Sequence, residues 1–176
     1  MKANRISGPL LCATTAMMLW AGAAISADWP KQGTINYVIH YVMQPINTIE
    51  VDKLGKAVAL EMVGTTANLE GKALMDKMIA HCVAIQIDSG KAQYMNGGCT
   101  MTDKDGDRIF TTFDTRELEG ALPRFGCGTH TITNGSGKYK GITGKEPFNC
   151  IILPTSAPGQ GWSGMDIEHQ MNYKFQ

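Results

Sequence analysis

The chain has 176 residues, with 16 basic and 16 acidic side chains, so its formal net charge is zero, and 43% of its residues are hydrophobic. This length and composition are typical of one globular domain with a sizeable core. The lysines are scattered among acids and form no basic run, which argues against nucleic acid as a partner.

Residues 1–27 have the pattern of a cleaved secretory signal peptide. Lys2 and Arg5 form a basic start, and the apolar stretch from Leu10 to Ile25 leads to small residues that suit signal peptidase. This stretch is short for a membrane anchor, although a retained anchor is the alternative. We therefore predict export to the periplasm or beyond the cell, no stable membrane insertion after cleavage, and a single domain over residues 28–176. Removing Lys2 and Arg5 would leave a net charge of about −2.

Four cysteines follow the predicted signal peptide: Cys82, Cys99, Cys127 and Cys150. An even number of cysteines in an exported chain predicts two disulfides, and four cysteines allow three ways of pairing. Zinc is the competing interpretation, but the chain has no C-x-x-C pair to support it.

The first part of the domain predicts two strands. Thr34 to Gln44 is rich in β-branched and aromatic residues, as in a strand covered on both faces, and Pro45 is expected to end it. Lys56 to Gly64 alternates between an apolar and a more polar face, as a half-buried strand does. Two intervening segments, Thr48 to Gly55 and Leu69 to Lys77, are too short for stable helices and are predicted to be loops.

A hairpin is predicted next. Ile79 to Ile87 alternates as a strand, and a turn centred on Gly90 and Lys91 would reverse the chain. In that register Cys82 lies directly opposite Cys99, with about 4.5 to 5.5 Å between their Cα atoms. We therefore favour a Cys82–Cys99 disulfide.

An acidic segment follows the hairpin. Asp103, Asp105 and Asp107 have the spacing of the first three ligands of an EF-hand calcium loop. Arg108 stands where that loop requires its glycine, however, and no helices flank the segment. The favoured interpretation is a type I′ hairpin turn with Asp105-Gly106 at its centre, and calcium binding is the weaker alternative.

Three short strands are predicted after a polar connection: Gly128 to Thr133, Lys138 to Thr143, and Pro147 to Leu153. If the middle strand lies between the other two, Cys127 and Cys150 are about 9 to 10 Å apart, which is too far for a disulfide. A bridge between these two cysteines would require the middle stretch to leave the sheet.

The last strand has the clearest alternation in the chain. One face carries Met165, Ile167, His169, Met171, Tyr173 and Phe175, and the other face is polar. Together with the earlier strands and the lack of a long helix, this pattern predicts an all-β fold. A closed antiparallel barrel is favoured because closure removes exposed strand edges.

Two segments, Asp103 to Phe110 and Asn134 to Gly144, together resemble the pattern D-G-D-x-hydrophobic … G-G-T-G-K-Y-x-G-I-x-G of the allene oxide cyclase barrel-like and dirigent-like superfamily. The resemblance implies an eight-stranded calycin-like barrel, often trimeric, with a hydrophobic cavity and no metal or organic cofactor. Such proteins steer a reactive small molecule mainly by shape. The matching residues are turn residues, so no catalytic residue is carried over.

Four residues are predicted to line the barrel: His81, His169, Met171 and Tyr173. A neutral histidine there could anchor a ligand by a hydrogen bond or act as a general acid or base, and flexible methionines can shape an adaptable pocket. We therefore predict an exported barrel that binds a small hydrophobic molecule, with cofactor-free steering of a cyclase-like or dirigent-like kind. The alternative is a non-catalytic structural or interaction module of the cell envelope.

Overall fold

The structure, a computed structural model, describes residues 29–88, 93–116, 127–153 and 161–176. Eight antiparallel strands pair in chain order, and the last strand closes on the first. The strands are β1 (Gln32–Glu50), β2 (Lys56–Asn68), β3 (Ile79–Asp88), β4 (Gln93–Thr102), β5 (Arg108–Asp114), β6 (Gly128–Gly135), β7 (Ile142–Ile152) and β8 (Ser163–Phe175). The predicted closed eight-stranded barrel is confirmed.

The predicted signal peptide and the residues at the centre of the β3–β4 turn lie outside the described residues. No helix in the described ranges is long and apolar enough to cross a membrane.

Alternate residues of each strand fill the interior of the barrel, as the two-residue period of a strand requires. The apolar face predicted for the last strand is the inner face of β8, where Met165, Ile167, His169, Met171 and Tyr173 are buried. Leu60 and Met62 of β2 are also buried, in agreement with the alternation of that segment.

The first strand continues past Pro45, which the sequence predicted to end it. β1 pairs with β8 only as far as Met43, and beyond that residue it pairs with β2 alone. Pro45 therefore lies where β1 has one neighbouring strand, and the register shifts between Pro45 and Asn47. Proline is tolerated at such an edge or bulge because its missing N–H is not needed on the unpaired side.

The prediction that His81 lines the barrel is wrong. Ala80, Cys82 and Ala84 are the buried residues of β3, so His81 lies on the outer face. The exposed ring of His81 forms a hydrogen bond with the carboxylate of Glu61 on β2, with 2.9 Å between Nε2 and Oε1. The small side chains of β3 point inward because Cys82 is bonded to Cys99 inside the barrel, which leaves the larger apolar side chains of this strand outside.

Two disulfides are present, as the number of cysteines predicted: the favoured Cys82–Cys99 bridge and the Cys127–Cys150 bridge that the sequence left open. Cys82 and Cys99 are direct partners in the β3–β4 ladder, as the hairpin register predicted, and their Cα atoms are 4.1 Å apart. The Cα atoms of Cys127 and Cys150 are 5.6 Å apart. The prediction of a separate strand from Lys138 to Thr143 is wrong. A short 3₁₀ turn at Gly137–Tyr139 connects β6 to β7, and these two strands pair directly with each other. This stretch leaves the sheet, which was the condition for the second bridge.

The β4–β5 hairpin is centred one position earlier than predicted. The N–H of Gly106 donates to the carbonyl of Asp103, which makes Lys104 and Asp105 the central residues. Gly106 then follows the turn with a φ of 85°. The carboxylate of Asp103 accepts hydrogen bonds from the backbone N–H groups of Asp105 and Asp107, which holds the loop in this form.

One end of the barrel, which we call the closed end, is filled by side chains from the connections between strands. Leu74, Met75 and Met78 lie between β2 and β3 and are almost fully buried. Tyr139 of the β6–β7 turn is buried as well, and Trp29 stacks on it with ring centroids 5.1 Å apart. These side chains fill the interior at this end, and the space inside the barrel lies toward the other end.

Candidate functional site

A cavity of about 310 Å³ lies at the end of the barrel opposite the closed end. A smaller space of about 30 Å³ continues from it into the interior. The two share Met95, Thr115, Cys127, Cys150 and Met165 in their walls. We call the combined space the barrel cavity. Its deeper walls also include the Cys82–Cys99 disulfide, so both disulfides border the same space.

The described residues that line the barrel cavity carry no formal charge. The walls of its inner part consist mainly of thioethers, disulfide sulfurs and aromatic rings, among them Met62, Phe113 and Phe148, whereas Gln86 and Gln93 add polar groups to the wider part. Tyr94 borders the wider part, and the guanidinium of Arg116 lies 4.4 Å from the centroid of its ring. A charged ligand would find no opposite charge on these walls, whereas an uncharged apolar ligand could exchange water for apolar contacts.

His130 of β6 is a polar residue at the inner end of the barrel cavity. Its Nδ1 lies 2.8 Å from the hydroxyl of Thr111, and its ring stacks on Phe113 at 4.9 Å. Burial lowers the pKa of His130 to about 3, so the ring is neutral at physiological pH. With Nδ1 engaged, Nε2 is the ring nitrogen that remains for a bound molecule.

A group of three buried polar side chains lies behind His130, and we call Tyr37, Glu146 and His169 the inner polar cluster. The hydroxyl of Tyr37 donates to Oε2 of Glu146 at 3.1 Å. The rings of Tyr37 and His169 stack with centroids 4.6 Å apart, and His169 meets His130 edge to face at 5.2 Å. These contacts connect the cluster to the end of the cavity.

Burial makes every member of the inner polar cluster electrically neutral near pH 7. Burial raises the pKa of Glu146 to about 8, and the hydrogen bond from Tyr37 opposes this effect only partly. Burial also lowers the pKa of His169 well below its usual range, and the neighbouring His130 adds to that shift. Perturbed acids and bases next to a cavity are typical of functional sites, although structural cores contain them too.

Three of the four predicted barrel-lining residues lie inside the barrel: His169, Met171 and Tyr173. They lie along β8 toward the middle and the closed end, and they are not among the walls of the barrel cavity. Their role in ligand binding therefore stays a prediction.

Neither Tyr37 nor Glu146 was singled out from the sequence as a candidate site residue. A signal for Glu146 existed, since it alternates with Gly144 and Phe148, but the strand was predicted to begin at Pro147, one residue after Glu146, whereas β7 begins at Ile142.

The acidic segment considered for calcium makes protein contacts. Nζ of Lys138 lies 2.6 Å from Asp103 and 2.8 Å from Asp105, so the lysine supplies the positive charge that the calcium alternative assigned to an ion. Within the four described ranges, no group of three or more His, Cys, Asp or Glu side chains is arranged to hold a metal.

No family model matches the chain, and no curated protein matches it in sequence. Among solved structures, the chain is similar to a pterocarpan synthase dirigent protein, with a TM-score of 0.49 and 9% sequence identity. The match covers 85% of this chain and 90% of that one. The likeness concerns the fold. The barrel itself is established by the strand pairing described above.

Proposed function

We propose that the protein binds one small, uncharged, hydrophobic molecule in the barrel cavity. The observation that carries this proposal is the cavity itself, whose volume of about 310 Å³ falls at the lower end of the range of about 300 to 1,000 Å³ common for ligand pockets. The walls of the inner part are mainly apolar, Gln86 and Gln93 add uncharged polar groups to the wider part, and His130 provides a neutral hydrogen-bonding group at the inner end. Such a site selects an uncharged ligand by shape and by a few polar contacts.

The resemblance of the two turn motifs extends the proposal to cofactor-free steering of a reactive molecule. Two disulfides in the walls support this extension, because crosslinked walls hold a bound molecule in a defined conformation. They also support the proposal that the protein is exported, since disulfides persist in oxidising compartments.

The binding proposal is tested with the neutral fluorescent probe N-phenyl-1-naphthylamine. We expect saturable binding with one probe molecule per chain. The substitution Met95→Trp, in a wall shared by both parts of the cavity, fills the space and should weaken binding at least about tenfold. The matched control is Val83→Trp, which places the same ring on the outer face and should leave binding unchanged.

Equal binding of the probe by the Met95→Trp variant and by wild type would contradict the proposal. Loss of binding in both variants would also contradict it, since the probe would then be reporting on the outer surface or on general destabilisation. Thermal melting of each variant establishes that it is folded.

The outer face of β2 and β3 supports a second candidate, an interaction module that contacts further copies of the chain. Val63, Ile79, Val83 and Ile85 are each 45% to 52% exposed on this face. The resemblance implies a trimer, and apolar groups of this kind are typical of contact surfaces. Light scattering tests it: Val83→Glu should dissociate the assembly, whereas Thr112→Glu on the outer face of β5 should not. A wild-type monomer at all concentrations would contradict this second function.

A further inference from the structure

The inner polar cluster contains three buried polar atoms without a hydrogen-bond partner among the described residues. They are Oε1 of Glu146 and both ring nitrogens, Nδ1 and Nε2, of His169. Glu146 is 0% exposed and His169 is 1% exposed. Two neighbouring polar atoms have partners, since Tyr37 donates to Glu146 Oε2 and Thr111 pairs with Nδ1 of His130.

Unpaired buried polar atoms cost folding free energy, and native proteins satisfy them with protein groups, ordered water or ligands. The three atoms lie on two side chains that Tyr37 connects, because Tyr37 stacks on His169 and bonds Glu146. One small group placed between these side chains could satisfy atoms of both. We propose that Glu146 and His169 form a buried polar subsite that holds one neutral hydroxyl group.

The chemistry of the two side chains selects a hydroxyl group. Glu146 is protonated at neutral pH, and since its Oε2 accepts from Tyr37, Oε1 can carry the proton and donate it. A neutral imidazole offers one N–H donor and one nitrogen acceptor. A hydroxyl group both donates and accepts, so it matches this pair. A charged group would be buried without an opposite charge, which is strongly unfavourable.

The subsite lies directly behind the barrel cavity. The ring of His169 contacts those of His130 and Phe148, with centroids 5.2 and 5.5 Å away, and both of these residues line the inner part of the cavity. The hydroxyl group therefore comes either from water or from a ligand that extends past His130. The ligand source rests on the proposed function, whereas the water source is independent of it.

A crystal structure of the ligand-free protein, at a resolution that shows ordered water, tests the subsite first. We expect density at about 2.6 to 3.2 Å from Glu146 Oε1 and from one nitrogen of His169. Direct pairing of the two side chains with each other or with the backbone, with no density between them, would overturn the proposal.

Crystals grown with 1-naphthol and with naphthalene then identify the source of the hydroxyl group. If the hydroxyl of 1-naphthol replaces the density and naphthalene leaves it in place, the subsite takes the ligand's hydroxyl. If the density stays with both probes, the subsite is a water site, and it stands even if neither probe enters the cavity. Failure of the subsite is thus distinguishable from failure of the proposed function.

A double-mutant cycle provides a second measurement in solution. Glu146→Met and His169→Phe keep the approximate shapes while removing the unpaired atoms. A shared hydroxyl group predicts that their effects on the unfolding equilibrium constant depart from additivity by at least about threefold. The control cycle combines Glu146→Met with Phe148→Leu, because Phe148 also touches His169 but has no polar atom. Additivity in the first cycle, or equal coupling in both cycles, would overturn the proposal.

Discussion

The ammonium nitrogen of Lys138 lies 2.6 Å from Oδ2 of Asp103 at the closed end of the barrel. The hydroxyl of Tyr139 donates to the same carboxylate at 3.0 Å. The β4–β5 turn and the β6–β7 turn, which carry the two halves of the superfamily resemblance, are therefore bonded to each other. The residues of these two turns act here as a structural unit, and the barrel cavity lies at the opposite end.

We predict that Lys138→Met destabilises the protein by about 1 to 2 kcal/mol, because Asp103, with an 8% exposed side chain, would lose its cation. Burial works to raise the pKa of Asp103, but hydrogen bonds from Lys138, Tyr139 and the backbone hold it below its usual value. The melting temperature should fall by about 2 to 8 °C. Lys140→Met, on an exposed neighbour, is the control and should melt as wild type does. Equal melting of Lys138→Met and wild type would refute the role of this ion pair.

Two glycines of these turns offer a matched pair of substitutions. Gly106 and Gly137 both have a positive φ, 85° and 55°, so alanine at either position should cost about 1 to 2 kcal/mol of backbone strain. A Cβ at Gly106 would meet no atom within 4 Å, whereas one at Gly137 would overlap the carboxylate of Asp107. Denaturant unfolding should therefore show a clearly larger loss for Gly137→Ala. Equal losses would show that the Asp107 contact is unimportant.

The inner polar cluster and His130 predict that stability is greatest near pH 6.5. The pKa of Glu146 rises from 4.5 to about 8 on folding, so its contribution to stability is lost as pH rises toward 8. The pKa of His130 falls from 6.5 to about 3, and that of His169 also falls, so the unfolded chain gains more protons below pH 6.5. Between pH 4.5 and 6.5 the two histidines outweigh the one acid, and stability rises with pH.

Denaturant unfolding at a series of pH values checks this profile. Wild type should lose stability on both sides of the maximum, by at most about 1.4 kcal/mol per pH unit. Glu146→Gln should lose the fall between pH 6.5 and 8 and should steepen the rise between pH 4.5 and 6.5, because its carboxyl no longer opposes the two histidines. Glu168→Gln, a control on β8, should keep the wild-type profile on both sides. A wild-type profile that is flat from pH 6.5 to 8 would mean that Glu146 is not held protonated by the fold.

The sequence predicts features that depend on alternation and register. The inner face of β8 and the pairing of Cys82 with Cys99 both follow from the two-residue period of a strand. Alternation does not say which of two apolar faces points inward. In β3 the inner face carries Ala80, Cys82 and Ala84, and the larger side chains face outward, which is why His81 was misplaced.

The inner polar cluster could not be predicted because it depends on the closure of the barrel. Glu146 on β7 and His169 on β8 lie on consecutive strands, but Tyr37 on β1 comes beside them only because β1 pairs with β8. A buried acid also contradicts the usual expectation that glutamate is exposed. The cavity has the same origin, because its walls come from residues that share no local motif.

The most direct measurement for the ligand proposal is a crystal structure of the protein with 1-bromonaphthalene, because anomalous scattering locates bromine without ambiguity. The proposed function predicts a bromine peak inside the barrel cavity, between Met95 and Met165 of its shared wall. The Met95→Trp variant should lack this peak. Bromine found only on the outer face of β2 and β3, or an unoccupied cavity in crystals saturated with the probe, would contradict it.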